Sequence, residues 1–368
     1  MKNKFFSYKN TIGVFLVWRF SILIFSFFAV YLLGGYLNPQ KVNFLEALSS
    51  WDGGHFIGIA KFGYQYHEQY AFFPLYPLLI KTFAPFFLNS FNLSALFLSS
   101  VFSFLILLFF QKIGELDFKK TEIQKAVFLF LSFPTSFFLT VAYSESFFIF
   151  LAVASLYYSR KDKWILAAIL AALASATKPF GIILFAVLIF EYFKQKNYKI
   201  KKIGADILVL VLSLSGIGLY MGFLKLTVGN AFVFLTSQAN WQREFFSFPS
   251  KVIWERYLSV FSLDQIGTRF FAQHALELVA VLFFVIILIY SIGKLRSTYI
   301  FYCLLLLLMP LSTGVLLSFP RYFILAFPLF FSFAALSRNQ LFEKFLFVFF
   351  LLFQGLFFTL FLTGIWIA

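Results

Sequence analysis

The sequence predicts an all-α polytopic integral membrane protein, and two properties of its 368 residues support this prediction. Hydrophobic residues make up 61% of the chain and charged residues only 12%, about half the charged fraction of an average soluble domain. The apolar residues also collect in stretches of helical length. The net charge of +15 is then explained by membrane topology and requires no nucleic acid partner.

We predict eleven spans, because about 20 helical residues cross the hydrocarbon core and fewer suffice for a helix buried among others. They lie near residues 11–33, 92–112, 126–142, 146–159, 164–178, 180–194, 203–225, 272–292, 299–317, 322–337 and 345–366. The first is longer than a signal-peptide core and lacks a small-residue cleavage site, so we expect it to be retained. All eleven belong to a single transmembrane domain over residues 1–368.

The basic residues orient these spans, because positively charged loops stay cytoplasmic. With a cytoplasmic N-terminus, 19 of the 30 Lys and Arg residues face the cytoplasm, ten lie outside, and Arg19 lies within the first span. The cytoplasmic set is Lys2, Lys4, Lys9, Lys112, Lys119, Lys120, Lys125, Arg160, Lys161, Lys163, Lys194, Lys196, Lys199, Lys201, Lys202, Lys294, Arg296, Arg338 and Lys344. The prediction is an integral protein of the cell membrane in contact with its lipids.

Two intervals are too long and too polar to be tight turns, namely 34–91 and 226–271, and both fall on the extracytoplasmic side. The first contains the string FFPLYPLLIKTFAPFF at residues 72–87, whose three prolines favour a kinked helix at the membrane interface. Large ordered loops on one face are where binding and catalytic residues concentrate. We therefore expect the chemistry of the protein in these two loops.

Metal and redox chemistry receive little support from the sequence. The single cysteine, Cys303, excludes an internal disulfide or a thiolate cluster, and the three histidines lack the spacing of a zinc site. No cofactor is predicted with certainty, although a divalent ion bound by carboxylates is compatible with the composition.

The strongest local pattern is WDGGHF at residues 51–56. Asp52 stands at an apolar boundary beside aromatic residues, where a partly desolvated carboxylate suits general-base chemistry. The alternative is that Asp52 only caps a helix, a position that Asp often takes. Three residues on, His55 is expected to hydrogen-bond Asp52 or the substrate, and the alternative is a packed interfacial imidazole.

The stretch WDGGHFIGIAKFGY, followed by YAFFPLYPLLI, resembles the signature of the GPI mannosyltransferase II (PIG-V) family and its prokaryotic relatives. The similarity continues in AYSESFF at 142–148, ATKPFGIIL at 176–184, SQANWQREFFSFP at 237–249 and FPRYFILAFP at 319–328. These blocks cover most of the chain in family order. The resemblance implies a GT-C glycosyltransferase with a large first extracytoplasmic loop.

What the resemblance implies is the inverting transfer of a hexose, mannose in the family, from a polyprenyl-phosphate-linked donor. The acceptor would be a hydroxyl of a lipid-linked or glycan molecule on the extracytoplasmic face. The acid of the first outer loop serves as base in such enzymes, and that position is Asp52. The residue types agree, because an attacking hydroxyl needs a carboxylate and a leaving lipid phosphate needs cations.

Three cations at the predicted outer helix ends are candidates for the donor phosphate: Lys178, Arg243 and Arg321. Arg pairs bidentately with phosphate, which makes Arg321 the first choice and Arg243 the second. A single cation near the membrane boundary can also snorkel without a function. Arg243 has a further alternative, a surface salt bridge with Glu244 or Glu255.

Further candidates for substrate binding are Trp51, His55, Tyr143, Glu145 and Trp241. Glu145 follows Tyr143 in a turn between two spans, and a carboxylate at membrane depth needs water or a partner. It could bind sugar hydroxyls, pair with Lys178, or cap the next helix. The two tryptophans could stack on sugar rings or serve as ordinary membrane-belt residues.

Two other classes compete with the enzyme. A lipid or sugar transporter or flippase would also be polytopic and basic inside, but the sequence shows no related halves with broken helices. The acids and cations of this sequence that are candidates for function collect in the outer loops, whereas those of a transporter would lie within the spans. A structural subunit that assists another enzyme is the third class, and little in the sequence opposes it.

Overall fold

The computed structural model describes residues 5–34, 43–262, 266–337 and 339–367. The side chains of residues 5–10 and 200 are not part of that description. Four cations of the predicted charge pattern, Lys2, Lys4, Lys41 and Arg338, lie outside the described residues, as does the side chain of Lys9.

The described residues form helices and turns without a strand, which confirms the predicted all-α fold class. The α-helices are α1 (Phe5–Phe28), α2 (Phe44–Ala47), α3 (Asp52–Phe62), α4 (Leu75–Phe83), α5 (Phe91–Gly114), α6 (Lys120–Ser132), α7 (Glu145–Ser159), α8 (Trp164–Ser175), α9 (Ile183–Gln195), α10 (Ser215–Val228), α11 (Val233–Thr236), α12 (Pro249–Phe261), α13 (Arg269–Ser291), α14 (Ser297–Leu311), α15 (Phe319–Tyr322), α16 (Leu329–Leu336) and α17 (Gln340–Leu362).

Five helical stretches of the described chain are long and apolar enough to cross a membrane, and a bent pair makes a sixth if it counts as one span. The five are Thr11–Gly34, Phe91–Gly114, Ala205–Val228, Arg269–Ser291 and Gln340–Leu362. Each coincides with one of the eleven predicted spans. Three of the other six predictions coincide with shorter apolar helices, namely α7, α8 and α14. The protein is therefore a polytopic integral membrane protein.

Two predicted spans are interrupted by proline. The interval 126–142 is not one helix, because α6 ends at Ser132 and Phe133, directly before Pro134, is extended. A short 3₁₀ turn, Ser136–Leu139, follows. The interval 322–337 begins in the segment Phe319–Leu325, ends in α16 and bends by 87° just before α16, where Pro328 stands.

The two long loops fold into short helices that contact each other. In the first loop, α4 is followed by a 3₁₀ turn over Ala84–Phe87, as its prolines predict. The 3₁₀ turn His67–Ala71 packs against the 3₁₀ turn Ser237–Trp241 of the second loop. The hydroxyl of Ser237 donates a hydrogen bond of 2.7 Å to the carbonyl oxygen of His67. The loops therefore cover the same end of the helix bundle.

The bundle has two chemically different ends. Helix α7 begins at Glu145 and its C-cap is Arg160, about 22 Å away at 1.5 Å per residue. Arg160 donates hydrogen bonds of 2.6 and 2.9 Å to the carboxylate of Asp117. At the same end, Arg296 donates bonds of 3.0 and 2.7 Å to the buried carboxylate of Glu191. The basic loops thus lie at the end opposite Glu145.

Two glycines allow the helices around Lys178 to approach one another closely. A Cβ on Gly181 would lie 2.3 Å from backbone atoms of Ala174 and Ser175, and one on Gly216 would lie 1.9 Å from the carbonyl oxygen of Ala172. Only glycine fits at such distances. The starts of α9 and α10 are consequently fixed against the end of α8.

Candidate active site

A cavity of about 530 Å³ opens at the end of the bundle that the two loops cover. Its wall contains seven of the nine predicted site residues: Trp51, Asp52, His55, Lys178, Trp241, Arg243 and Arg321. The other two, Tyr143 and Glu145, are fully buried directly behind it. The structure thus brings together residues that are up to 270 positions apart in the sequence.

The start of α3 carries Asp52 into this wall. Trp51, the residue before it, has φ of +60°, a strained conformation for a residue with a side chain. Gly53 packs so closely on the neighbouring segment that a Cβ would lie 3.3 Å from the carbonyl oxygen of Ala142. The backbone N–H of Asp52 donates a hydrogen bond of 3.2 Å to the hydroxyl of Tyr143. Burial raises the pKa of Tyr143 well above its ordinary value, so this hydroxyl stays neutral.

Arg321 is the main partner of Asp52. Its Nη1 donates a hydrogen bond of 2.6 Å to Asp52 Oδ2, and its Nε lies 3.4 Å from Glu145 Oε1. The Arg321 side chain is only 6% exposed and that of Asp52 is 21% exposed, which leaves the carboxylate open to the cavity. Aromatic rings surround the guanidinium, with centroids 5.4 to 5.6 Å from its carbon: Phe138, Tyr143, Tyr322 and Trp366. Such rings attract a desolvated cation.

Lys178 and Glu145 form the ion pair that the sequence suggested. Lys178 Nζ donates a hydrogen bond of 2.5 Å to Glu145 Oε1, the oxygen that also faces Arg321. Glu145 is fully buried, and its Oε2 has no hydrogen-bond partner within the described structure. The buried hydroxyl of Ser144, in the cavity wall, is also unpartnered among the described residues. Polar acceptors and donors therefore remain available next to the cavity.

Arg243 reaches the cavity through the second loop. It forms no ion pair with Glu244 or Glu255 in the described structure, so that alternative is wrong. Its guanidinium instead donates hydrogen bonds of 2.9 Å to the carbonyl oxygen of Leu317 and to the hydroxyl of Tyr322. Nη1 donates a third, of 3.2 Å, to the hydroxyl of Thr313. Arg243 thus fixes the loop before α15 and keeps its charge beside Arg321.

The aromatic candidates form two groups in the cavity wall. The His55 ring stacks on Phe72 with centroids 4.6 Å apart and meets Trp241 edge-on at 6.1 Å. The predicted hydrogen bond from His55 to Asp52 is absent among the described residues, where the imidazole packs against the rings of Phe72 and Trp241. Trp51 meets Trp366 edge-on at 5.3 Å. Both groups offer ring faces and edges to a ligand.

Sequence reasoning missed several residues of the cavity wall. Trp366 follows the last helix, and Arg269 begins α13; neither stands in a distinctive motif, and only the folded chain brings them to Asp52. With them, the wall holds four cations, Lys178, Arg243, Arg269 and Arg321, and two carboxylates, Asp52 and Glu244. The wall therefore carries an excess of two positive charges. Among the residues that the structure describes, no group of three or more His, Cys, Asp or Glu side chains could hold a metal ion.

Fold and cavity together define a polytopic membrane protein with a largely apolar cavity, whose wall carries four cations, at one end of the helix bundle. The family model described as mannosyltransferase (PIG-V) matches residues 33–232, more than half of the chain, and the chain belongs to this family. The protein is thus a membrane glycosyltransferase, as the sequence predicted, and its family is one of mannosyltransferases. No curated protein and no solved structure matches the chain.

The matched residues cover part of the candidate site. Asp52, Glu145 and Lys178 lie within the matched residues, whereas Arg243 and Arg321 lie beyond them. The structure nevertheless places Asp52, Lys178, Arg243 and Arg321 in one cavity wall, with Glu145 buried behind it. Membership of an enzyme family also favours the transferase over the transporter and the structural subunit.

Proposed function

We propose that the protein transfers mannose from a polyprenyl-phosphate-linked donor to a hydroxyl of a lipid-linked or glycan acceptor, with inversion at the sugar carbon. The observation that carries this proposal is the position of Asp52. Its carboxylate is held at 2.6 Å by Arg321 in the wall of a cavity that Lys178 and Arg243 also line. A proton acceptor and several cations therefore face one enclosed volume.

In the proposed reaction the acceptor hydroxyl attacks C1 of the mannose from the side opposite the phosphate. A new C1–O bond to the acceptor forms as the C1–O bond to the phosphate breaks, and the phosphate leaves with the electron pair. Asp52 takes the hydroxyl proton, a role that requires an ionised carboxylate within hydrogen-bond reach. Lys178, Arg243 and Arg321 stabilise the negative charge that develops on the phosphate. Trp51, His55, Tyr143, Glu145 and Trp241 bind or orient the sugars.

The apolar part of the cavity suits a prenyl chain. Phe180, Phe234, Met309 and Pro310 belong to the cavity wall, as does Phe245, which is 84% exposed. A lipid-linked donor would place its phosphate among the cations and its chain along these side chains. Any polyprenyl phosphate has a charged head group and an apolar chain, so it needs a site with both kinds of surface.

We place the reaction on the extracytoplasmic face, with the N-terminus in the cytoplasm and the bundle arranged as a GT-C enzyme. The basic loops around Arg160, Lys196 and Arg296 lie at the end opposite the cavity. Positively charged loops stay cytoplasmic, which supports an outward-facing cavity.

The decisive experiment measures transfer from radiolabelled polyprenyl-phosphate mannose by purified wild-type, Asp52→Asn and Asp162→Asn proteins. Asp162 is exposed at the far end of α7 and serves as the matched control. We expect Asp52→Asn to lower the rate by about 10²- to 10⁴-fold, the usual contribution of a general base, and Asp162→Asn to leave it unchanged. Normal transfer by a folded Asp52→Asn protein would overturn the assignment of the base.

A further inference from the structure

A second cavity, of about 280 Å³, adjoins the first. The two cavities share Trp241 and Leu317 in their walls. Six of the eight other wall residues have polar side chains, and all eight come from the second loop, the first turns of α13 and, for Val315, the segment after α14. It has no place in the proposed chemistry at Asp52.

Glu277 is the unusual residue of this second cavity. It lies in α13, one of the candidate membrane spans, and is 2% exposed. Ionisable groups within spans are rare and are usually functional. Its carboxylate oxygen Oε2 lies 3.0 Å from Nη2 of Arg256, on α12, but this contact lacks hydrogen-bond alignment. The other oxygen receives only a long bond of 3.5 Å from Gln273.

Two further polar atoms of the cavity are buried without a partner within the described residues: Nε of Arg256 and Nδ1 of His274. Buried polar groups in folded proteins nearly always have hydrogen-bond partners. Three unsatisfied groups that line one cavity therefore point to a ligand that supplies both donors and acceptors.

The composition of the wall indicates what kind of ligand fits. Arg256 and Glu277 cancel in charge, which favours a neutral molecule over an anion or a cation. The amides of Asn240 and Gln273 can donate hydrogen bonds to hydroxyl groups and accept them, and Trp241 offers a ring against which a sugar can pack. The volume lies just below the range of about 300–1,000 Å³ that is typical of drug-sized ligands. One sugar ring suits these properties.

We infer that this second cavity binds one sugar ring of a saccharide acceptor, next to the ring that receives mannose at Asp52. The inference rests on the proposed function, because Trp241 joins the two cavities and the reacting ring is placed by that proposal. Glu277, His274 and Asn240 would contact hydroxyls of the second ring. The protein would then prefer acceptors with at least two sugars.

The test compares an octyl mannoside with a set of octyl disaccharides as acceptors. Glu277→Gln keeps the shape of the side chain, and Asn240→Ala changes an exposed residue of the cavity outside the ion pair. Glu255→Gln, an exposed carboxylate beside Arg256, is the matched control. We expect both cavity variants to raise the KM for the preferred disaccharide at least fivefold. The KM values for the donor and for octyl mannoside should stay within twofold, and Glu255→Gln should behave as wild type.

A merely structural role of the Arg256–Glu277 pair would give a different result. Glu277→Gln would then lower the thermal midpoint and the rates with all acceptors alike, while Asn240→Ala would change nothing, and the inference would be overturned. If the wild-type protein transfers mannose to none of these acceptors, the proposed function fails. In that case calorimetric titration of the disaccharides into wild-type and Glu277→Gln proteins still decides the inference, because equal binding by both would overturn it.

Discussion

Arg321 contacts two carboxylates through different nitrogen atoms, and this geometry requires a guanidinium group. Nη1 holds Asp52 at 2.6 Å while Nε lies 3.4 Å from Glu145. Lysine would keep the charge but concentrate it on one atom, so it could serve only one of the two acids well. Asp52 would then lose its fixed position in the cavity wall.

We therefore expect Arg321→Lys to lower kcat/KM by about 10- to 100-fold, since small misplacements of catalytic groups have effects of this size. Arg296→Lys is the matched control, because Arg296 forms a similar two-bond contact with buried Glu191 at the opposite end. Both variants should lower the thermal midpoint, but only Arg321→Lys should affect transfer from a labelled donor. Equal effects on kcat/KM would show that Arg321 acts through stability alone.

One carboxylate oxygen of Glu145 contacts two cations. An exchange of charges between Glu145 and Lys178 therefore also affects the second cation. Lys178 and Arg321 both approach Oε1. In the double variant Glu145→Lys with Lys178→Glu, the new lysine would face Arg321 and repel it. We expect the double variant to be inactive. Lys178→Arg keeps the contact and should retain at least about a tenth of the activity, which corresponds to a loss of no more than about 1.4 kcal/mol of transition-state stabilisation. Full activity of the swapped variant in the transfer assay would contradict this account.

At the level of the helix, α3 depends on one of its two adjacent glycines. A Cβ at position 53 would press against the carbonyl oxygen of Ala142 at 3.3 Å, whereas position 54 is exposed and its nearest neighbour atom lies 3.9 Å away. Gly53→Ala should push α3 away from Tyr143 and displace Asp52. Gly54→Ala should be neutral or stabilise the helix by about 0.5–1 kcal/mol, the usual gain over glycine.

The expected result is a loss of transfer activity in Gly53→Ala of about tenfold or more and none in Gly54→Ala. Activity and the thermal midpoint, measured on the same preparations, separate the two variants. A Gly54→Ala protein as impaired as Gly53→Ala would mean that the string WDGGHF needs flexible backbone instead of a close contact.

The same helix shows what the sequence could and could not predict. Asp52 and His55 were recognised because an acid and an imidazole beside Trp51 are chemically distinctive at an apolar boundary. The predicted hydrogen bond between them is wrong. Helical spacing places two side chains on one face of a helix, but it does not reveal that the imidazole ring stacks on Phe72. Arg269 and Trp366 were missed, since nothing local distinguishes them from ordinary boundary residues.

The membrane spans show a similar limit of prediction from sequence at the level of whole helices. The ends of long apolar runs such as Phe91–Gly114 and Gln340–Leu362 are predicted to within five residues. The interval 126–142 was not, because hydropathy averages over Pro134, which ends α6. Composition therefore identifies apolar length, and proline decides whether that length forms one helix.

For the whole molecule, the two ends of the bundle carry different chemistry and should face different compartments. The cavity and both long loops lie at one end. The pairs Arg160–Asp117 and Arg296–Glu191 lie at the other, among the basic loops. Because positively charged loops stay cytoplasmic, we expect the end with these pairs to face the cytoplasm.

We expect an impermeant maleimide to label a cysteine at His67 on intact cells, and one at Lys161 only after the cells are permeabilised. Both positions are exposed, His67 in the first loop and Lys161 just beyond α7. The native Cys303 is buried and would be replaced by alanine in both variants to remove background labelling. Labelling at position 161 on intact cells, and at position 67 only after permeabilisation, would place the cavity on the cytoplasmic side. The donor would then have to enter the cavity from the inner leaflet. Labelling thus tests the proposed face of action independently of any assay of transfer.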